Sequence, residues 1–333
     1  MTKRIQSIFR ELQHSNQSEG NLYSASLLPN SSSHKLGITE FGAPVFFIKS
    51  PLLEHCANIK LDLISVLFNQ SCRLKLRDIL LEDNGVYTVV ILKTNNPELG
   101  AYFINIIGLV LSKIGDTPDS KVLITELNKL VELFRCLTNP SKKTIQGLWA
   151  ELFVIEQSKD PEYLIKSWHS EINDIYDFND GLNKIEVKST CNTTRKHHFS
   201  LKQLNPSDGA YLLICSVFVM SSGSGVTLFD LMKSIEKRVQ ALDLRFRLNE
   251  IISKTLGSDL EKAMDFYFDY QQALDSYQIY NYKEIPCIEN KLIPNELSNV
   301  HFECDITNVN PITNLLSVFP SSKLFKAISY YGK

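Results

Sequence analysis

The segment DFNDGLNKIEVKST, residues 177–190, carries two acids and a lysine at a spacing suited to phosphoryl chemistry. Asp177 stands alone, and Glu186, Val187 and Lys188 follow nine to eleven residues later. Two converging carboxylates offer hard oxygen ligands to a small divalent cation such as Mg2+, which keeps several of its waters. A cation held there polarises a phosphoryl oxygen and lowers the pKa of a bound water. The backbone carbonyl of Val187 can add a ligand, and the Lys188 ammonium can orient the water or offset charge building on phosphate. Without a cation the two acids would repel and raise each other's pKa. The same pattern also fits an ordinary solvated hairpin.

The elements that carry these residues bear on the choice. Asp180-Gly181 is a favoured two-residue hairpin turn, which sets Asn179 against Leu182 and Asp177 against Lys184. Side chains alternate along a strand, so Lys184, Glu186 and Lys188 share one face. Asp177 projects from that face too, diagonal to Glu186 at about 7–8 Å. A slip of one residue would turn it away. Asp174 and Asp180 are alternatives to Asp177, although Asp180 is better explained by the turn. Upstream, a helix from near Ser141 to Gln157 has Ile145, Leu148, Trp149, Leu152 and Phe153 as its apolar face. Glu151 lies on its flank, able to reach the cluster and hold metal or water, and Trp149 reads as core.

Around this centre the chain predicts a helix over 3–13, a Ser- and Asn-rich loop over 15–33, and strands from Gly37 to Thr94 with EDNG as a turn. Thr117 and Pro118 are set to cap and open a helix with Leu123, Leu127, Leu130, Phe134 and Leu137 on one stripe. After the motif come a polar loop CNTTRKHH, a helical turn at 200–204, a strand over 210–220 and a loop, SSGSG. A helix then starts at Thr227 with Asp230 three residues on, its stripe running to Leu242. Helix and short strands near YQIYNY and VHFECDI follow. The expected division is an N-terminal β-rich module over 1–97, connecting helices over 98–140, a core over 141–250 and an accessory region over 251–333.

Of the 333 residues 44% are hydrophobic, and 35 basic face 37 acidic residues. So near-neutral a chain must bind nucleic acid, if at all, through local patches. From Lys184 to Gln203 there are five basic residues and one acid. Arg195, Lys196, His198 and Lys202, with Lys142 and Lys143, are the candidate phosphate contacts, the alternative being a solvated loop. The adjacent His197 and His198 lack nearby Cys or His partners for zinc. Arg73, Lys75 and Arg77 alternate with Cys72, Leu74 and Leu76, either a binding face or the wet side of a half-buried sheet. Cys191 has no ordered partners for nucleophilic work. Seven scattered cysteines without a CxxC pair suggest a reduced, intracellular setting. The N-terminus has no signal-peptide apolar core, and runs such as YLLICSVFVM are too short for a bilayer. A soluble cytoplasmic protein without a membrane partner is expected.

GLWAELF, YDF and IEVKST together resemble the PD-(D/E)XK phosphodiesterase superfamily, the fold of many restriction endonucleases. With HFSLKQL added, the run is similar to a bacterial family of such proteins found in restriction and phage-defence neighbourhoods. The resemblance is firmest over 141–220. It implies an α/β (α+β) fold with a restriction-endonuclease-like core, a mixed sheet flanked by helices, between an N-terminal antiparallel β module and a C-terminal accessory α/β region. It matches Asp177, Glu186 and Lys188 to the motif's two acids and lysine, Glu151 to a helical glutamate of many members, and Gln203 to a glutamine near the metal water or substrate phosphate. Tyr176 stands where proline precedes the aspartate. Ser207 stands where a QxxxY exonuclease pattern needs tyrosine. The implied activity is Mg2+-dependent DNA endonuclease action, Mn2+ substituting, with DNA, other subunits of a defence or restriction complex and a homodimer as partners. The other reading is a catalytically silent DNA-binding or scaffolding subunit.

Overall fold

The computed structural model describes residues 2–14, 22–29, 31–53, 56–77, 81–137, 144–168 and 174–328. The chain divides into two compact units, one of Met1–Pro140 with Gly257–Glu261 and one of Ser141–Leu256 with Lys262–Lys333.

In the first unit, α1 (Thr2–His14) buries Ile5, Phe9 and Leu12, which recur at helical spacing. The strands are β1 (Leu22–Leu27), β2 (Lys35–Ile38), β3 (Pro44–Lys49), β4 (Ile59–Lys60), β5 (Ile64–Leu76) and β6 (Leu81–Leu92). Their order is β1-β2-β3-β6-β5-β4, and β1 also pairs with β5 in parallel, Leu22 to Arg73 through Ala25 to Leu76. This second pairing closes five strands into a small barrel and hides the edges of β1 and β5. Ala25, Val45, Phe47, Leu74, Tyr87 and Val89 fill it.

Two expectations change here. The Ser- and Asn-rich stretch contains β1, LYSASL, too polar to announce itself and recruited by pairing on both sides. EDNG is no turn but lies inside β6, where Asn84 pairs with Arg73. There Asp83 serves a tertiary contact: its Oδ2 lies 2.6 Å from the buried Lys35 Nζ and accepts from the Tyr87 hydroxyl at 2.6 Å. On β5, Cys72, Leu74 and Leu76 point inward while Arg73, Lys75 and Arg77 are exposed.

Two helices complete the unit, α2 (Pro97–Ile114) and α3 (Ser120–Cys136). Asp119, not Thr117, caps α3, its Oδ1 accepting from Lys121 N at 2.9 Å and Val122 N at 3.2 Å. A carboxylate is the better acceptor at a positive helix start. Among the described residues α2 is long and apolar enough to cross a membrane by length and composition, beyond the runs singled out in the sequence. In the fold, 67% of that window is buried.

The second unit begins with α4 (Ile145–Gln157), capped by Thr144, and α5 (Pro161–Ser167), capped by Asp160. Then follow β7 (Phe178–Asn179), β8 (Asn183–Thr190), β9 (Lys196–Ser200), a tight turn at Leu201–Leu204, β10 (Tyr211–Phe218) and β11 (Ser221–Ser222). After α6 (Leu228–Arg238) and α7 (Leu242–Leu256) come α8 (Leu260–Met264), β12 (Tyr267–Phe268), α9 (Tyr270–Ser276), β13 (Gln278–Asn281), β14 (His301–Asp305), α10 (Leu315–Val318) and α11 (Lys323–Ile328). Thr227 and Asp230 close a reciprocal cap on α6, but the helix stops short of Leu242, which opens α7.

The main sheet runs β13-β10-β8-β7, with β8 and β10 parallel and the other pairs antiparallel. The chain is thus mixed α+β. α4 covers one face of this sheet and α6 packs on α4. Gln146 Nε2 donates to Ser189 Oγ at 3.2 Å, so α4 lies over the face of Ile185, Val187 and Ser189. Against the opposite face sit Tyr176, Phe199, Leu204, Leu212, Ile214 and Tyr280. The polar segment after the motif is not all loop. Its end is β9, paired with β14 from more than a hundred residues downstream.

Candidate active site

Asn179 pairs with Lys184 and Phe178 with Ile185, so the hairpin loop holds four residues, 180–183. A two-residue turn of the expected kind needs positive φ at both central residues, and only Gly181, at +102°, has it. The Asp180 carboxylate instead accepts from Asn183 N at 3.0 Å and closes a wider loop. The register therefore shifts by two residues. Because alternation has a period of two, the shift preserves which face each side chain takes. Continued one step, it sets Asp177 directly across from Glu186 rather than diagonal to it.

Asp177 is buried, and its Oδ2 accepts from the backbone N–H of Val187 at 2.8 Å. The N–H and C=O of a residue in an antiparallel pair face the same neighbour, so the Val187 carbonyl points toward the Asp177 side. Glu186 is buried too. Its Oε1 lies 2.8 Å from Lys188 Nζ and accepts from Gln203 Nε2 at 2.6 Å. Gln203 closes the triangle, its Oε1 accepting from Lys188 Nζ at 3.2 Å and from Ser200 N at 3.0 Å. The Lys188 ammonium also sits 4.9 Å from the centre of the Phe199 ring.

Gln203 arrives by local chemistry. SLKQ, residues 200–203, forms a reciprocal cap in which Ser200 Oγ accepts from Gln203 N. Ser followed three residues on by Gln is a readable sign of such a cap, and it was the available signal for Ser200. Tyr176 was missed as more than a neighbour of Asp177. Its hydroxyl donates to Lys202 O at 3.1 Å, and burial, then the nearby Glu186 charge, push its pKa up to about 12.

Glu151 is buried on α4, where its Oε2 accepts from Trp168 Nε1 at 2.8 Å. Trp168 bridges to Phe178 and stacks on its ring, which ties Glu151 to the residue next to Asp177. The three acids do not converge as a ready cage. Among the described residues no group of three His, Cys, Asp or Glu side chains is placed to hold a metal. The reason is local: Val187 N takes Asp177, Lys188 and Gln203 take Glu186, and Trp168 takes Glu151. The site joins a carboxylate to an ammonium.

The expected nucleic-acid contacts fare unevenly. Lys142 and Lys143 lie outside the described residues. Arg195 is buried: its guanidinium donates to Ser216 O and Oγ and to Ser276 O, and lies 4.5 Å from the Phe218 ring centre. It is an interior strut, not a phosphate contact. Lys196 and His198 are exposed, but β14 sets Asp305 and Glu303 opposite them, and His198 Nε2 lies 3.5 Å from Glu303. The acids that offset this patch lie too far along the chain for local charge counting to find. Lys202 is exposed. Asp174 is exposed, and the seven cysteines are all free thiols, Cys191 at the surface.

Beneath the site, His197 is buried against Ser216 Oγ at 2.9 Å. Burial first, then the Lys188 and Arg195 charges, lower its pKa to about 4. The ordinary value is near 6.5, so between these pH values the unfolded chain takes a proton that the folded chain refuses. His197 therefore permits full stability above about pH 6.5 and withdraws up to about 3 kcal/mol as the pH falls through 4. Denaturant titration at neutral and acid pH checks this: His197→Gln should lose less stability over that interval than the wild type.

No match was found among curated proteins or among solved structures. One family model, described as "Putative PD-(D/E)XK family member, (DUF4420)", matches residues 5–307. The match spans both units and includes every residue of the cluster, and the chain accordingly belongs to this PD-(D/E)XK family.

Proposed function

We propose that the protein is a Mg2+-dependent DNA endonuclease of a bacterial restriction or phage-defence system, built on a restriction-endonuclease-like core of α4, β7, β8, β10 and α6. One observation carries the reading. A buried acid, its partner lysine and a glutamine meet on one strand face, with a second buried acid anchored on the adjoining backbone. The donor set suits a hard divalent cation, since Asp177 and Glu186 offer carboxylate oxygens from neighbouring strands and the Val187 carbonyl faces the same side. The Lys188 ammonium also balances Glu186. Asp177, Glu186 and the Val187 carbonyl would hold the ion, with Glu151 behind them. Bound there, it would polarise the scissile phosphate and acidify a water.

The chain's own groups do the rest. Lys188 carries three donors; with Glu186 Oε1 and Gln203 Oε1 as acceptors, one remains to steady a water or a phosphate oxygen. Gln203 orients both Lys188 and Glu186. The buried rings of Tyr176 and Phe199 lie beside the site, and an apolar surrounding strengthens each of these interactions. Because Gln203 acts through its neighbours, Gln203→Ala should slow cleavage by about tenfold, a common cost for such a supporting group. Single-turnover nicking rates measure it, and the loss should fall on kcat rather than KM.

Plasmid nicking with Mg2+ or Mn2+ tests the function, with chelator and Glu186→Ala as controls. Wild type should nick only with metal, and Glu186→Ala should not nick. That each acid is engaged by a donor of the protein itself favours one other reading, a catalytically silent DNA-binding or scaffolding subunit. Retained DNA binding with no metal-dependent nicking, even with partner subunits added, would support that reading instead.

A further inference from the structure

The barrel of the first unit carries a cleft of about 1170 Å3 that the nuclease chemistry does not use. Clefts that hold small ligands run to about 1,000 Å3, so this one is large enough for a nucleotide. β5 holds one extra residue against β6 between Leu67 and Gln70, and Asn69 in this bulge has a φ of +53°. Non-glycine residues seldom take that left-handed conformation. The Asn69 amide secures it by accepting from Leu53 N at 3.0 Å and donating to Leu53 O at 2.8 Å. Bulges at barrel rims bend the strand and re-aim side chains, and Gln70, next to this one, lines the cleft.

The lining combines three chemistries. Tyr23 forms part of an aromatic wall, backed edge-on by Phe47 at 5.2 Å, and Phe41 stands at the rim 76% exposed. Gln70 and Glu40 supply an amide and a carboxylate. Arg73 and Lys93 are exposed cations of the same lining, and the exposed Lys75 follows Arg73 along β5. We infer that this cleft binds one unstacked base of a DNA strand. The inference rests on the nuclease reading for the identity of that strand. Aromatic faces stack on any base, an amide and a carboxylate read exocyclic amines and ring nitrogens, and the cations meet the flanking phosphates. A ligand carrying a flat ring, amino groups and phosphates satisfies all three sets at once.

The test uses the full chain and a short single-stranded oligonucleotide carrying 2-aminopurine, titrated in chelator so that the probe is not consumed. Fluorescence should change as the base stacks. Phe41→Ala should bind about tenfold more weakly, and Arg73→Ala should reduce the salt dependence by about one phosphate contact. Both side chains are exposed, so both variants should melt as the wild type does. Plasmid nicking by the same proteins separates the two readings. Equal oligonucleotide binding by all three with nicking retained would overturn the cleft assignment and leave the nuclease standing. A wild type that neither binds nor nicks would overturn both. Binding of a free deoxynucleoside monophosphate without the oligonucleotide, or displacement of the probe by an acidic peptide alone, would assign the cleft to another ligand and also overturn it.

Discussion

Lys188→Ala should lower the nicking rate by about a thousandfold while the protein stays folded. The Lys188 side chain is only 15% exposed and is held by Glu186 and Gln203, so its ammonium is preorganised and partly dry. Removing one such donor from a transition-state site typically costs about a hundred- to a thousandfold. The upper end is expected because the same change also removes the donor to Gln203, the residue that orients Glu186. Lys188→Arg should recover little, since a planar guanidinium cannot take the place of a compact ammonium between two acceptors and a ring. Rates come from plasmid nicking under saturating metal, with melting curves to show that the fold persists. A Lys188→Ala protein nicking at the wild-type rate would remove the cluster from the chemistry.

The second large effect is on stability. Trp149 is fully buried, stacked on Phe153 with ring centres 5.5 Å apart and tilted on Phe268 at 5.3 Å. Its Nε1 donates to Val226 O at 3.0 Å, tying α4 to the segment before α6. Trp149→Ala removes this packing, opens a cavity and leaves the Val226 carbonyl with Phe268 N as its donor in place of two. The expected loss is about 3–5 kcal/mol, a large share of the total stability of about 5–15 kcal/mol usual for a domain. Urea unfolding measures it. Trp149→Phe should recover part of the packing but not the hydrogen bond. A loss below about 1 kcal/mol would mean that α4 is held mainly elsewhere.

These two residues were legible for different reasons. Trp149 follows from helical periodicity, and its burial needs only the neighbours at three and four residues. Lys188 follows from strand alternation with Glu186, which holds whichever hairpin loop forms. The loop itself was misjudged: Asp180-Gly181 suggests a two-residue turn, yet the Asp180 carboxylate prefers to cap Asn183 N. The error was two residues and so did no harm to the facing of Asp177. At α3 a carboxylate at Asp119 outcompeted the nearby threonine for the helix start.

What the linear chain determined by itself is what short-range physics controls: alternation of Glu186 and Lys188 on one face, the periodic core stripe of α4, and the Ser200–Gln203 cap. Tertiary structure alone decided that β1 closes a barrel against β5, that Arg195 turns inward to Ser216 and Ser276, and that Glu303 and Asp305 offset the basic residues of β9. It also tied each acid of the site to its own donor. In the barrel, at Arg195 and along β9 the deciding partner lies far along the chain, whereas the acids of the site are held by donors two to seventeen residues away; in both cases hydrogen bonding and charge act on distance in space, which local pattern does not encode.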